Sequence, residues 1–205
     1  MRKFGVVFIL ILSSFVAQAQ FLDTLKSSFK HKPTIDFKFN SRYNIIDGDL
    51  AKIWAVKVGL DFNKKFRFGV AAHYFNDFDT VLKIDTQIVV SNFRMNFVSL
   101  YTEYVFFSKK WEPSLPIQYA FGQSFNNYKL NNEFHQLNKG NFAFIEVDLD
   151  GHYRIIKYIG AGFGVGYRFM ILNNNLIKKS LNSPIFTAKI KIFLGDIYRD
   201  KIRKK

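Results

Sequence analysis

The chain contains no cysteine, only four prolines in 205 residues, and sixteen acids against thirty bases. Without cysteine there are no disulfides, no thiolate-held metals and no lipid-anchored N-terminus, so an exported fold must hold without covalent staples. A long hydrophobic run is missing too. Phe4 to Val16 is too short to cross a bilayer as a helix, and nothing downstream is longer. Mean hydropathy is −0.04, yet 48% of residues are hydrophobic and 18% aromatic, with 25 Phe and 10 Tyr. The apolar residues are therefore interleaved with polar ones instead of gathered in blocks. Transmembrane strands show this pattern, because their hydropathy signal per segment is weak.

Residues 1–19 read as a secretory signal. Arg2 and Lys3 give the basic start, Phe4 to Val16 the apolar run, and Ala17-Gln18-Ala19 the small-x-small cleavage site before Gln20. Its removal takes two bases and no acid, lowering the formal charge of +14 by two. Residues 20–33 read as a periplasmic lead-in, either a short amphipathic turn with Phe21, Leu22, Leu25 and Phe29 on one side, suited to a membrane interface, or a disordered segment. The remainder fits one domain.

The stretch Tyr158-Ile-Gly-Ala-Gly-Phe-Gly-Val-Gly-Tyr-Arg-Phe169 sets the frame for the rest. Side chains alternate across a strand. Ile159, Ala161, Phe163, Val165, Tyr167 and Phe169 then share one face, and Gly160, Gly162, Gly164, Gly166 and Arg168 the other. Four glycines on one face weaken a strand unless room there is short. The inner wall of a small closed barrel is such a place, while its outer wall can face lipid.

The same period-two alternation recurs at about 34–43, 50–62, 66–75, 93–106, 111–125, 142–153 and 185–194, giving eight strands in all. Pro113 and Pro116 fall near the start of their strand, where a lost ladder bond is best tolerated. Asn63-Lys64-Lys65, Ser108-Lys109-Lys110 and Arg154 to Lys157 read as tight turns. The alternating links, about 44–49, 76–92, 126–141 and 172–184, are longer and rich in Asn. Short periplasmic turns alternating with long external loops mark an up-and-down outer-membrane barrel with both termini in the periplasm. Val81 to Val90 also alternates and is expected to be a hairpin extension above the membrane, since a ninth wall strand would break the rhythm.

The chain thus resembles the small eight-stranded outer-membrane β-barrels of Gram-negative bacteria, the OmpA-transmembrane and OmpX type, over nearly all of Thr34 to Leu194. The resemblance rests on architecture, with no diagnostic motif. It implies an all-β, eight-stranded, up-and-down antiparallel transmembrane barrel at 34–194, a basic periplasmic tail at 195–205 and a place in the cell outer membrane. One departure stands out: such chains usually end on an aromatic residue closing the last strand, and here the basic tail follows Phe193-Leu194. The soluble counterpart, a lipocalin-like barrel, is polar outside. Against it, the polar faces mix charges with glycine and alanine, and aromatics such as Tyr43, Phe62, Tyr104, Trp111 and Tyr153 gather near strand ends, where interfacial girdles belong.

By parity the lumen holds Lys38, Arg42, Lys57, Arg67, Arg168, Lys189 and Lys191 against Asp36, Asp61, Glu103, Glu112, Glu146, Asp148 and Asp150. Seven against seven fits a structural filling of ion pairs in a bore only wide enough for side chains. The network is expected to centre on Glu146, Asp148, Asp150, His152, Arg168, Lys189 and Lys191. Asp148-x-Asp150-x-His152 is the nearest thing to a metal site, but neighbouring groups stand about 6.6 Å apart along the strand, too far to share one ion. No metal, cofactor or catalytic residue is assigned. A lipid-modifying enzyme is the alternative and a narrow pore the third reading; no His-x-Ser pair or Gly-x-Ser-x-Gly elbow supports catalysis. The excess base gathers at the periplasmic rim, where it would meet anionic lipid headgroups or periplasmic polymers. Attraction to the membrane surface is the better account, which points to outer-membrane lipids as partners and not to nucleic acid. The barrel is expected to be a monomer, with any loop ligand left open. The glycines are expected to form a bare floor over which Lys189 and Lys191 reach Asp148 and Asp150, with Asp150, Asp148 and Glu146 set beside Gly160, Gly162 and Gly164.

Overall fold

The structure, a computed structural model, describes residues 22–46, 49–75, 78–84, 87–130, 133–173 and 181–202. The expected signal at 1–19 lies outside the described residues, as do parts of all four long links and residues 203–205 of the tail. Among the described residues are a helix α1 (22–29), nine strands and a helix α2 (Leu194–Ile202). The strands are β1 (Thr34–Ile46), β2 (Asp49–Phe62), β3 (Phe66–Phe75), β4 (Phe78–Ile84), β5 (Gln87–Val105), β6 (Trp111–Leu130), β7 (Glu133–Ile156), β8 (Ile159–Asn173) and β9 (Ser183–Ile192).

All neighbours pair antiparallel in the order β3-β2-β1-β9-β8-β7-β6-β5-β4, and β3 also pairs with β5. That last ladder closes the sheet, so eight strands form the wall. The ninth, β4, continues the line of β3 along β5: Tyr74 faces Asn96 and Phe78 faces Phe93, one residue out of step. β4 and the start of β5 are thus the hairpin extension expected around Val81 to Val90.

The long links are largely strand. β5, β6 and β7 run 19, 20 and 24 residues. At about 3.3 Å per residue and roughly 45° of tilt, 24 residues project about 55 Å, against a hydrocarbon core of about 30 Å. These strands therefore stand well beyond any bilayer at the long-link end. At the opposite end the turns are short, and Asn63 and Lys64 take the left-handed conformation (φ 53° and 56°) that a tight reversal needs. The third turn is Lys157-Tyr158, not Arg154 to Lys157, because β7 stays in register through Arg154. Between β6 and β7 the ladder skips from Ser114–Asp150 to Ile117–Val147, where Pro116 has no amide hydrogen to give.

The wall is inside out relative to a soluble barrel. In β9 the buried positions are Ser183, Ile185, Thr187, Lys189 and Lys191, while Pro184, Phe186, Ala188 and Ile190 are exposed. In β8, Phe163 is 66% exposed and Val165 50%.

Both helices close on the short-turn end. Phe29 of α1 lies edge-on to Phe62 and Phe66, ring centres 4.8 and 5.6 Å away. The expected basic tail begins as α2, which turns its acids toward the barrel. Asp196 meets Arg154 at 2.6 Å and Lys64 at 3.7 Å. Asp200 accepts hydrogen bonds from Tyr158 and Lys157, both at 2.6 Å, which holds both pKa values above their ordinary positions.

Candidate functional site

All fourteen charges assigned to the lumen by parity are buried. Eleven of them form two groups, and Lys189 with Asp150 forms a separate pair. Nearest the short turns, Arg67 is the hub, meeting Asp61 at 2.7 Å, Glu112 at 2.9 Å, Glu103 at 3.1 Å and Asp36 at 3.8 Å. Lys38 pairs with Glu103 and lies 3.4 Å from Asp36. Lys191 meets Glu112 at 2.6 Å and Asp36 at 3.3 Å. Several of these pairs cross the bore. Lys38 is on β1 and Glu103 on β5, three strands around the wall, and Lys191 to Glu112 spans the same interval from β9 to β6. A lone buried charge is costly, so each pair dictates which walls face each other.

The middle group is built on Glu146. Arg42, from the opposite wall, pairs with it and lies 3.7 Å from Asp148. Arg168 reaches the other oxygen of Glu146 at 2.7 and 2.9 Å. Gln118 completes the cluster, donating to Glu146 at 2.8 Å and accepting from Arg42 at 3.2 Å. Gln118 shares the strand parity of Glu112 and so belongs to the inner face, but its type alone assigns it no role. Lys57 meets no carboxylate within 4 Å among the described residues; its ammonium lies 5.0 Å from the centre of the Tyr101 ring.

The expected lysine-to-acid contacts form only in part. Lys189 pairs with Asp150. Lys191 instead goes to Glu112 and Asp36, and Asp148 faces Arg42. The cause is register. The tighter hairpin sets Asp148 opposite Gly166, Asp150 opposite Gly164 and His152 opposite Gly162, not the positions expected. Lys191, opposite Gly160, is thereby placed nearer the short-turn group than Asp148. The bare face does serve as a floor, but the acids occupy it. A Cβ on Gly164 would fall on the Asp150 carboxylate, and one on Gly166 on that of Asp148. At Gly162 it would meet the Gly151 carbonyl oxygen at 2.6 Å and the His152 ring at 2.7 Å. His152 is buried beside that glycine, and neither ring nitrogen has a hydrogen-bond partner among the described residues. Among those residues no three His, Asp or Glu side chains are grouped to hold a metal ion.

Above the ions the bore is filled with rings, which sequence reasoning did not anticipate. Phe75, Phe93, Phe97, Phe142 and Phe144 are buried together with Ile53, Met95 and Leu181. Phe97 lies 5.8 Å from Phe142 and 5.3 Å from Phe144, which stack on one another at 5.8 Å. Gly122, opposite Phe97, carries nothing, and a Cβ there would strike the Phe97 Cβ. Arg168 joins the two fillings, its guanidinium 4.2 Å from the Phe144 ring centre while it holds Glu146.

One histidine–serine pair escaped the sequence search because its members lie on neighbouring strands. His73 Nε2 is 2.9 Å from Ser99 Oγ. Both are buried, the ring stacks on Phe97 at 4.3 Å, and His73 Nδ1 has no partner among the described residues. The pair therefore lacks the third group that would orient the imidazole, and it points into the bore, away from lipid.

No protein-family profile and no curated protein matches the chain. Solved structures do. The neisserial surface protein NspA superposes with a TM-score of 0.54 at 11% identity, over 79% of this chain and 99% of that one. The N-terminal β-barrel domain of Pseudomonas aeruginosa OprF gives 0.53 at 8% identity, over 78% and 98%. Both are small eight-stranded outer-membrane barrels, so the fold is of that type. At such identities the likeness is one of fold alone.

Proposed function

We propose that this chain is a monomeric outer-membrane β-barrel with a structural or surface-interaction role, in preference to an enzyme or a pore. One observation carries the reading: a closed wall with fourteen charges buried inside and its aliphatic and aromatic side chains exposed outside. In water such a wall would present far more contiguous apolar surface than soluble proteins carry, whereas lipid accepts it. The filled bore supports the rest of the reading. Ion pairs staple opposite walls below, and a cluster of phenylalanines occupies the section above, which favours a filled bore over a pore. The His73–Ser99 pair gives no support to catalysis on lipid, since a lipid substrate meets the outer wall. The long strands beyond the bilayer are the surface on which recognition would occur.

The test is fractionation with gel mobility. The product should sediment with the outer membrane and migrate differently with and without boiling. A soluble periplasmic product overturns the reading. For orientation, a protease site inserted at 131–132 should be cut on intact cells and one between Lys109 and Lys110 should not; the reverse result inverts the topology.

A further inference from the structure

The short-turn end is ringed with base. Lys26, Lys30 and Lys32 come from α1 and the segment after it, Lys65 from the β2–β3 turn, and Lys109 and Lys110 from the β5–β6 turn. None of the six has a carboxylate within 4 Å among the described residues; Asp196 and Asp200 meet Arg154, Lys64 and Lys157, and Asp23 stands exposed on α1. The opposite end has no such ring: among the described side chains there, Lys52, Arg94 and Lys139 stand with Glu133. Like charges gathered on one rim repel, so the arrangement persists at least cost where an anionic partner is always at hand.

The bases share their level with the apolar girdle. Trp111 is half exposed, and its ring lies 4.9 Å from Tyr153. Lys110 sits over that same Tyr153 at 5.1 Å. Phe106 and Phe107 are exposed beside them, and Lys65 donates to the Phe106 carbonyl at 2.6 Å. On α1, Phe29 packs against Phe62 and Phe66 of the wall while Lys26 and Lys30 stay exposed. An anionic partner here must therefore lie at the boundary between water and hydrocarbon. A dissolved polyanion would meet the lysines but leave the rings in water.

We propose that this annulus binds the phosphate groups of anionic phospholipids, with α1 laid into the headgroup layer as part of the site. The inference rests on the membrane reading above and adds the lipid class that the rim selects. Each basic residue near an anionic lipid surface favours it by about fivefold. The preference should weaken with salt, because the lysines are exposed and charges in water are screened beyond about 8 Å at physiological ionic strength.

The two tryptophans make the test. Trp111 lies in the annulus, and Trp54, on the same outer wall of β2, pairs with Tyr74 toward the long-link end. Single-tryptophan proteins (Trp54→Phe and Trp111→Phe) are folded into vesicles of phosphatidylcholine mixed with phosphatidylglycerol, with bromine on one lipid or the other. Brominated phosphatidylglycerol should quench Trp111 at least about twofold more than brominated phosphatidylcholine at equal content. High salt should abolish the excess, and so should replacing Lys26, Lys30, Lys109 and Lys110 with Gln. Trp54 should show no excess. Equal quenching of Trp111 by both lipids, or an excess that survives salt and the four substitutions, overturns the proposal. Heat-modifiable migration reports folding in every sample. If no sample shows it and neither lipid quenches either tryptophan, the membrane reading fails and takes this inference with it.

Discussion

The two halves of the lumen fill the same narrow bore by opposite means. Near the short turns and in the middle, most charged groups meet an opposite charge, several of them across the bore, as when Lys38 of β1 meets Glu103 of β5 and Arg42 of β1 meets Glu146 of β7. Toward the long links, five phenylalanines fill most of the space by packing on one another. Ion pairs fix which strand stands opposite which, and losing one partner leaves a charge stranded. Rings only need volume and adapt to one another. The lower filling should therefore be brittle and the upper one forgiving.

The largest effect is expected where the lattice is most concentrated. Glu146 and its partners Arg42 and Arg168 are all fully buried. Glu146→Gln keeps the volume but strands the Arg168 guanidinium and leaves Arg42 only the Asp148 carboxylate at 3.7 Å, and should destabilise by about 3–5 kcal/mol. Urea titration in lipid, read by the heat-modifiable band, measures it. A loss below about 1 kcal/mol would mean that water serves the arginines, and the two halves would no longer differ in kind. On the outer wall, Val165→Arg should cost about 2–4 kcal/mol if Val165 sits at mid-bilayer. A change under about half a kcal/mol would show that this face does not meet lipid.

The glycine floor sharpens the comparison within a single sheet. Gly164→Ala places a methyl group on the Asp150 carboxylate and displaces it from Lys189, so a loss of about 1–3 kcal/mol is expected. Gly151→Ala is the control: a Cβ there meets nothing within 4 Å. Its effect should stay within about half a kcal/mol of zero. Equal losses at both positions would assign the cost to the strand backbone and not to the crowded acid.

The contrast also explains what could be read beforehand. The wall was legible because its period-two pattern holds wherever lipid lies on one side and the bore on the other, and this sorted all fourteen buried charges correctly. Above the bilayer the constraint lapses, so the outer part of β7, from Glu133 to Asn141, read as an Asn-rich link. The β7–β8 register depended on a turn two residues shorter than its charged sequence suggested, and that error sent Lys191 to the wrong acids. Partners across the bore depend on how the sheet closes, which no single strand encodes. Phe97 shares the strand parity of Glu103 and so belongs to the inner face, but parity says nothing of what it meets there, so the aromatic filling and the His73–Ser99 contact were both missed.

The upper filling is expected to lose less than the ion lattice when one side chain is trimmed. Phe142 touches Phe97 and Phe144, with ring centres 5.8 Å from each, and among the described residues no charged group lies over its ring. Phe142→Leu removes ring volume that flexible neighbours can partly recover, so a loss of about 1 kcal/mol is expected. Phe144→Leu carries the same packing term, but its ring also backs the Arg168 guanidinium at 4.2 Å. A desolvated cation over a ring contributes roughly 1–2 kcal/mol, so Phe144→Leu should exceed Phe142→Leu by up to that amount. Repeating both substitutions in a Glu146→Gln background separates the terms. With its carboxylate gone, Arg168 should lean harder on Phe144, so the gap between the two variants should widen. A gap that closes would show that the rings and the ions are one filling, and that the border drawn at Arg168 has no energetic meaning.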